Sequence, residues 1–162
     1  MDIMFVCTGN TCRSPMAEGI FKNMLKVNNI EGINVSSAGI SVFPGESANE
    51  KSIAALKEKG IDIANHKARQ LSDKIMDVDL ILTMTVGHKE IIENYFKDIE
   101  NFPKVFTLKE FAAKISGKNL SKLDIEDPYG RNYSVYKKTR DEIENDLSKI
   151  LENIDKLEDI LR

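Results

Sequence analysis

"IMFVCTGNTCRSP", residues 3–15, runs from an apolar tetrapeptide straight into a polar segment holding two cysteines, a glycine and an arginine. Ile3 to Val6 has the length and composition of a short buried strand. Pro15 suits the first turn of a following helix, where its missing amide hydrogen costs nothing. The residues between them therefore make a strand-to-helix loop. Such a loop turns successive amide hydrogens inward at a helix amino terminus, and both features hold a tetrahedral anion. Thr8 to Ser14 would supply the donors. Gly9 lets backbone come close, Asn10 suits a left-handed residue or a bond across the loop, and Arg13 offers a planar fork to two oxygens.

Cys7, at the strand's end, sits at the floor of this cradle, with five residues between it and Arg13. A helix terminus and a nearby guanidinium stabilise a thiolate, so one arrangement binds a dianion and arms a nucleophile. Ser14 adds a donor to the sulfur. Read from the residues alone, Cys7 and Cys12 also fit two buried thiols, which free cysteine commonly forms. For Cys12 that plainer reading is preferred, with oxidative pairing to Cys7 as its second role.

The remaining sequence alternates strand and helix patterns. Ile33–Gly39 and Val78–Met84 read as strands, and Lys104–Leu108 as the last. Helical spacing covers MAEGIFKNMLKV, then ANEKSIAALKEKG with Ser47 and Glu50 as a capping box, then VGHKEIIENYF and KEFAAKI. Ile61–Ser72 reads as an extended piece and polar loop, and LSDKIM as one or two helical turns. From Tyr133 the apolar positions Tyr136, Ile143, Leu147, Ile150, Ile154, Leu157 and Leu161 continue at three- and four-residue steps, as in one amphipathic helix. This order predicts a single doubly wound α/β domain over residues 1–162. It has about four strands in a mostly parallel sheet, helices on both faces, and the phosphate-binding loop between first strand and first helix.

Composition narrows the function. At 162 residues, 41% hydrophobic and 30% charged, the chain has an ordinary globular balance, and a net charge of -3 argues against a nucleic-acid footprint. No run is long enough for a bilayer, and MDIMFVCTGN lacks a secretory pattern, so no membrane partner is expected. Two cysteines without a disulfide framework point to a reducing, cytoplasmic setting. His66 and His88, each beside a lysine in a polar stretch, do not complete a zinc spacing with the cysteines; both are expected to be exposed or bonded to loops. Metal and cofactor are expected to be absent. A monomer is the simplest state.

VCTGNTCRSPMAE closely resembles the opening signature of the low-molecular-weight protein phosphatases. The resemblance continues through SSAG (36–39), DLILTMT (79–85) and DPYG (127–130). It implies a doubly wound α/β domain that dephosphorylates proteins through a phosphocysteine, without metal, and releases inorganic phosphate. On the matching positions it implies Cys7 as nucleophile, Arg13 as phosphate clamp, Asn10 as loop-ordering residue, Ser14 as donor to the thiolate and Asp127 as acid and base. It also suggests that Ser37 buttresses the loop. Chemistry alone leaves Asp124, Glu126 and Asp127 open for the acid role, because all three fall in the turn-rich segment 124–132.

Thr11 and Tyr129 bear on the substrate. Relatives resembling tyrosine phosphatases commonly place a larger aliphatic residue at the position of Thr11 and two aromatics after the Asp-Pro pair. This chain has Thr11, and Tyr129 followed by Gly130. With Thr11 it is similar to bacterial protein arginine phosphatases, and with Gly130 in place of a second aromatic its pocket is less committed to a flat ring. A threonine removes apolar contact for a phenyl ring and offers a hydroxyl to a guanidinium or to water. Phosphoarginine is the favoured substrate, and phosphotyrosine the alternative. A non-catalytic phosphoprotein-binding module would need Arg13 and the amides but not both Cys7 and Asp127. An arsenate reductase would need further cysteines to relay a disulfide.

Overall fold

The structure, a computed structural model, describes residues 1–162. Its sheet is built from β1 (Asp2–Cys7), β2 (Asn34–Gly39), β3 (Leu80–Thr83) and β4 (Lys104–Thr107), all parallel in the order β2-β1-β3-β4. The helices are α1 (Arg13–Val27), α2 (Glu50–Lys57), α3 (Val86–Tyr95), α4 (Leu108–Ser116), α5 (Tyr133–Leu151) and α6 (Leu157–Leu161). The sheet is thus four-stranded and doubly wound, as the strand and helix alternation implies. No helix is long and apolar enough to cross a membrane.

Alternation along β1 sorts its side chains between two cores. Ile3, Phe5 and Cys7 join α1, α4 and α5 residues on one face, where Phe5 meets Phe21 edge to face at 6.1 Å. Met4 and Val6 pack on the other with Leu71, Met76 and Ile92 of α3. Burying a ring such as Phe5 contributes about 2–3 kcal/mol. These contacts fix β1, and hence the position at which its carboxyl end releases the chain.

The chain leaves β1 to form β2 on one side and returns as β3 on the other. The crevice beyond the carboxyl ends of such strands is where doubly wound sheets take ligands. Cys7 pairs with Gly39 at this edge. A Cβ on Gly39 would come within 2.6 Å of the Thr8 carbonyl oxygen. The glycine of SSAG is therefore required by the close approach of β2 to the loop after β1.

Two local expectations change. Helix α2 is capped by Asn49, whose side chain accepts from Lys51 N at 2.9 Å, and not by Ser47. Asn49 N donates to Thr11 O at 2.8 Å, and that bond sets where the helix starts, placing Glu50 in its first position. Ile61–Ser72 runs as the expected loop, with a single bridge between Gln70 and Gly39, and LSDKIM forms one 3-10 turn at Asp73–Ile75, within the one or two turns expected. The final apolar run is not one helix. It stops at Leu151, where Asn153 Nδ2 takes the Lys149 carbonyl at 2.9 Å, and resumes through a 3-10 turn into α6, burying Leu157. Three- and four-residue spacing survives such a bend, so periodicity alone does not reveal it.

Candidate active site

The loop between β1 and α1 is locked from beneath by Asn10. This residue is fully buried with φ 55°, a conformation that asparagine tolerates better than most side chains. Its Nδ2 donates to Ser14 Oγ at 2.8 Å and to Ser37 Oγ at 2.9 Å, and its Oδ1 accepts from Arg69 N at 3.1 Å. Ser14 Oγ lies 2.9 Å from Cys7 Sγ. Because Asn10 already donates to that oxygen, the Ser14 proton is free to point at the sulfur, the other acceptor being Ala38 O at 3.5 Å. Ser37 belongs to this network, while Gly9 has ordinary φ and open space around it. A Cβ on Gly9 would meet only Thr11 Oγ1, at 3.7 Å. Its smallness leaves room at the cleft without relieving backbone strain.

Arg13 opens α1 and is 4% exposed. Nη1 donates to Ile125 O at 2.9 Å, Nη2 lies 3.4 Å from Asp127 Oδ2, and Nε is buried without an acceptor. Ile125 in turn donates its N to Met84 O at 2.8 Å, which stitches the segment to the end of β3. The Asp127 carboxylate is turned by a second bond, Tyr129 N donating to Oδ1 at 3.1 Å. Asp124 is otherwise employed: its Oδ1 accepts from Val86 N at 2.8 Å at the start of α3. Glu126 is exposed.

Cys7, Thr8, Gly9, Thr11, Cys12, Arg13, Asp127 and Tyr129 line one cleft of about 240 Å³. The same cleft includes Ser41, Phe43 and Glu46, which sequence reasoning missed. Phe43 to Glu46 is a turn, closed by Glu46 N on Phe43 O at 3.2 Å with Gly45 at φ 82°, and Ala68 pins it through two backbone bonds. A signal did exist. The segment follows β2, whose end pairs with Cys7, so it had to emerge beside the loop.

Both histidines bond the loop. His66 Nε2 donates to Asn10 O at 2.7 Å, and His88 Nε2 lies 2.9 Å from Thr8 Oγ1. Of the two placements expected, exposed or bonded to a loop, His88 takes the second and is only 7% exposed. Burial above all, and then the Arg13 charge, hold its pKa down to about 4, with Asp127 and Asp124 opposing. The unfolded chain therefore takes up this proton first, near the ordinary 6.5. Stability is intact above about pH 6.5 and falls as pH drops toward 4, by up to roughly 3 kcal/mol. Urea denaturation of wild type and His88→Gln across this range is expected to show the extra acid sensitivity only in wild type. Parallel curves would contradict it.

Cys12, buried beside Tyr136 OH at 3.5 Å, has its thiol pushed up by burial. This suits a core thiol better than a nucleophile. Both cysteines are free.

A parallel sheet ending in a Cys-x5-Arg loop, with a carboxylate brought to the guanidinium, is the architecture of a cysteine-dependent phosphatase. Residues 2–159 match the low molecular weight phosphotyrosine protein phosphatases, and the chain belongs to that family. It is 42% identical to a protein-arginine-phosphatase of Bacillus subtilis, over 96% of this chain and 98% of that one. It is 35% identical to the low molecular weight protein-tyrosine-phosphatase PtpB of Staphylococcus haemolyticus, over 88% and 92%. Among solved structures, the YwlE arginine phosphatase superposes with TM-score 0.86 at 41% identity, covering 96% of this chain and 97% of that one. That structure is a cysteine-to-serine mutant with a phosphorylated active site serine.

Proposed function

We propose that this protein hydrolyses phosphoarginine in phosphoproteins through a cysteinyl-phosphate intermediate. The observation that carries the reading is the convergence of Cys7 and Arg13, from the loop between β1 and α1, with Asp127, from the distant 124–132 segment, in one cleft. Arg13 and the loop amides hold the phosphoryl oxygens. The Cys7 sulfur attacks phosphorus as the P–N bond breaks, and protonated Asp127 gives its proton to the departing guanidine nitrogen. Water then attacks the phosphocysteine, the Asp127 carboxylate takes a proton, and the S–P bond breaks to release phosphate and the thiolate. Fixed donors around the equatorial oxygens lower the barrier at both steps. The chemistry needs a reduced Cys7, which suits the cytoplasm, and a single chain supplies every group.

Three features favour a guanidinium leaving group. The Thr11 hydroxyl has only a 3.8 Å contact to Cys12 Sγ, so it is available to the cleft. The Glu46 carboxylate borders the cleft, and negative charge there favours a cationic guanidinium over a neutral phenyl. The most similar relatives named above include arginine phosphatases. Phosphotyrosine is the second reading, because Phe43 and Tyr129, 81% and 71% exposed, present rings suited to a phenyl as well as to a guanidinium.

The test is kcat/KM for matched peptides bearing phosphoarginine, phosphotyrosine and phosphoserine. Phosphoarginine is expected to lead. Thr11→Ile and Glu46→Gln are each expected to move the phosphoarginine-to-phosphotyrosine ratio toward phosphotyrosine, by roughly five- to tenfold. A wild-type preference for phosphotyrosine would reverse the substrate while keeping the mechanism.

A further inference from the structure

We propose that His88 is a positioning residue for the phosphatase reaction, acting through Thr8: it donates Nε2–H to Thr8 Oγ1, which directs the Thr8 hydroxyl proton to the phosphoryl group in the cleft. The inference rests on the phosphatase reading above.

The tautomer decides the case. His88 Nδ1 is buried and has no partner, while Nε2 is 2.9 Å from Thr8 Oγ1. A buried N–H without an acceptor is rarer than a buried acceptor without a donor, so the ring proton belongs on Nε2. Thr8 Oγ1 also faces Arg13 Nη2 at 3.5 Å. A hydroxyl oxygen accepts two hydrogen bonds and donates one. With its lone pairs turned to His88 and Arg13, its proton is left for the cleft that Thr8 lines beside Cys7 and Asp127. With the opposite tautomer, Thr8 would donate to His88 and show the substrate a lone pair, which repels a phosphoryl oxygen.

The surroundings preserve the arrangement. The His88 backbone N donates to Thr85 Oγ1 at 3.1 Å, which caps α3 and fixes the ring's origin. Burial and the Arg13 charge keep the ring neutral, so it does not compete with Arg13 as a second cation. The resulting path from α3 through Thr8 to Arg13 joins the end of β3 to the loop after β1.

Nitrogen-15 NMR of the wild-type imidazoles at neutral pH tests the tautomer directly. A protonated Nε2 with a bare Nδ1 on His88 is expected, and the reverse overturns the proposal. In kinetics, Thr8→Val and His88→Phe are each expected to weaken competitive inhibition by inorganic phosphate and to lower kcat/KM by roughly tenfold. The double variant should be no worse than either single one, and His88→Gln, which keeps a donor, should recover most of the loss. Unchanged phosphate inhibition in Thr8→Val, or losses that multiply in the double variant, would overturn it. Should His88→Phe fail to fold, the wild-type tautomer and Thr8→Val still decide. Wild type without any turnover would remove the phosphatase reading and this inference together, whereas normal turnover with the reversed tautomer removes only this one.

Discussion

Cys7→Ser is expected to lower kcat/KM by roughly ten-thousandfold or more, with phosphate still binding. The cradle does not depend on the sulfur. Asn10, at φ 55°, is held by Ser37 and Arg69, Ser14 is held by Asn10, and Arg13 is held by the Ile125 carbonyl. Oxygen replaces sulfur at a site already accepting one short bond, from Ser14. A serine hydroxyl has a far higher pKa than a thiol, so the attacking anion is scarce, and a phosphoserine once formed is a poor phosphoryl donor to water. The phosphorylated active site serine in the cysteine-to-serine mutant of the YwlE arginine phosphatase fits that second point. Stopped-assay kinetics with mass spectrometry are therefore expected to show slow gain of one phosphoryl group without steady release of phosphate. Turnover near that of wild type would mean another group attacks phosphorus. A non-catalytic binding module would show no single-turnover phosphate release even with Cys7 in place.

The elements that position the site were legible from sequence because each rests on a local rule. A short apolar run followed by CTGNTCRSP specifies a strand, a loop and a helix start, and Asn10 at positive φ fulfils the expectation for that residue. The contacts that assemble the site are of another kind. Ile125 O on Arg13, His88 on Thr8 and His66 on Asn10 span 112, 80 and 56 residues. No periodicity encodes them. His66 and His88 look like surface residues because the lysines beside them dominate the local composition, yet each ring is drawn to the loop by a backbone or hydroxyl partner far along the chain. The α2 cap failed for a related reason. SANE offers two capping residues two positions apart, Ser47 and Asn49, and the bond from Asn49 N to Thr11 O selects the second. The wall formed by Phe43 and Glu46 follows the same logic, since it becomes visible only once β2 is known to lie beside β1.

Asp127→Asn is expected to reduce kcat on phosphoarginine by roughly a hundred- to a thousandfold, the usual worth of a positioned acid and base. The fold should hardly notice. The carboxylate is about half exposed, its pairing with Arg13 is 3.4 Å, and asparagine keeps an oxygen for the Tyr129 amide; a half-solvated pair of this sort contributes less than about 1 kcal/mol. The chemistry predicts a sharper signature with p-nitrophenyl phosphate. Its nitrophenolate departs without a proton, so Cys7 is phosphorylated at a rate close to that of wild type. Hydrolysis of the phosphocysteine still requires a base for water. Rapid-mixing traces of Asp127→Asn should therefore show a burst of one nitrophenolate per enzyme and then a slow steady state. On phosphoarginine, where the leaving nitrogen must be protonated, the burst itself should be slow. Asp124→Asn and Glu126→Gln serve as counterparts. The first keeps an acceptor for Val86 N, and the second alters an exposed side chain, so both should remain within a few-fold of wild type. If either produced the burst and Asp127→Asn did not, the proton would have to travel through a different carboxylate, and the Arg13–Asp127 contact would be a structural ion pair only.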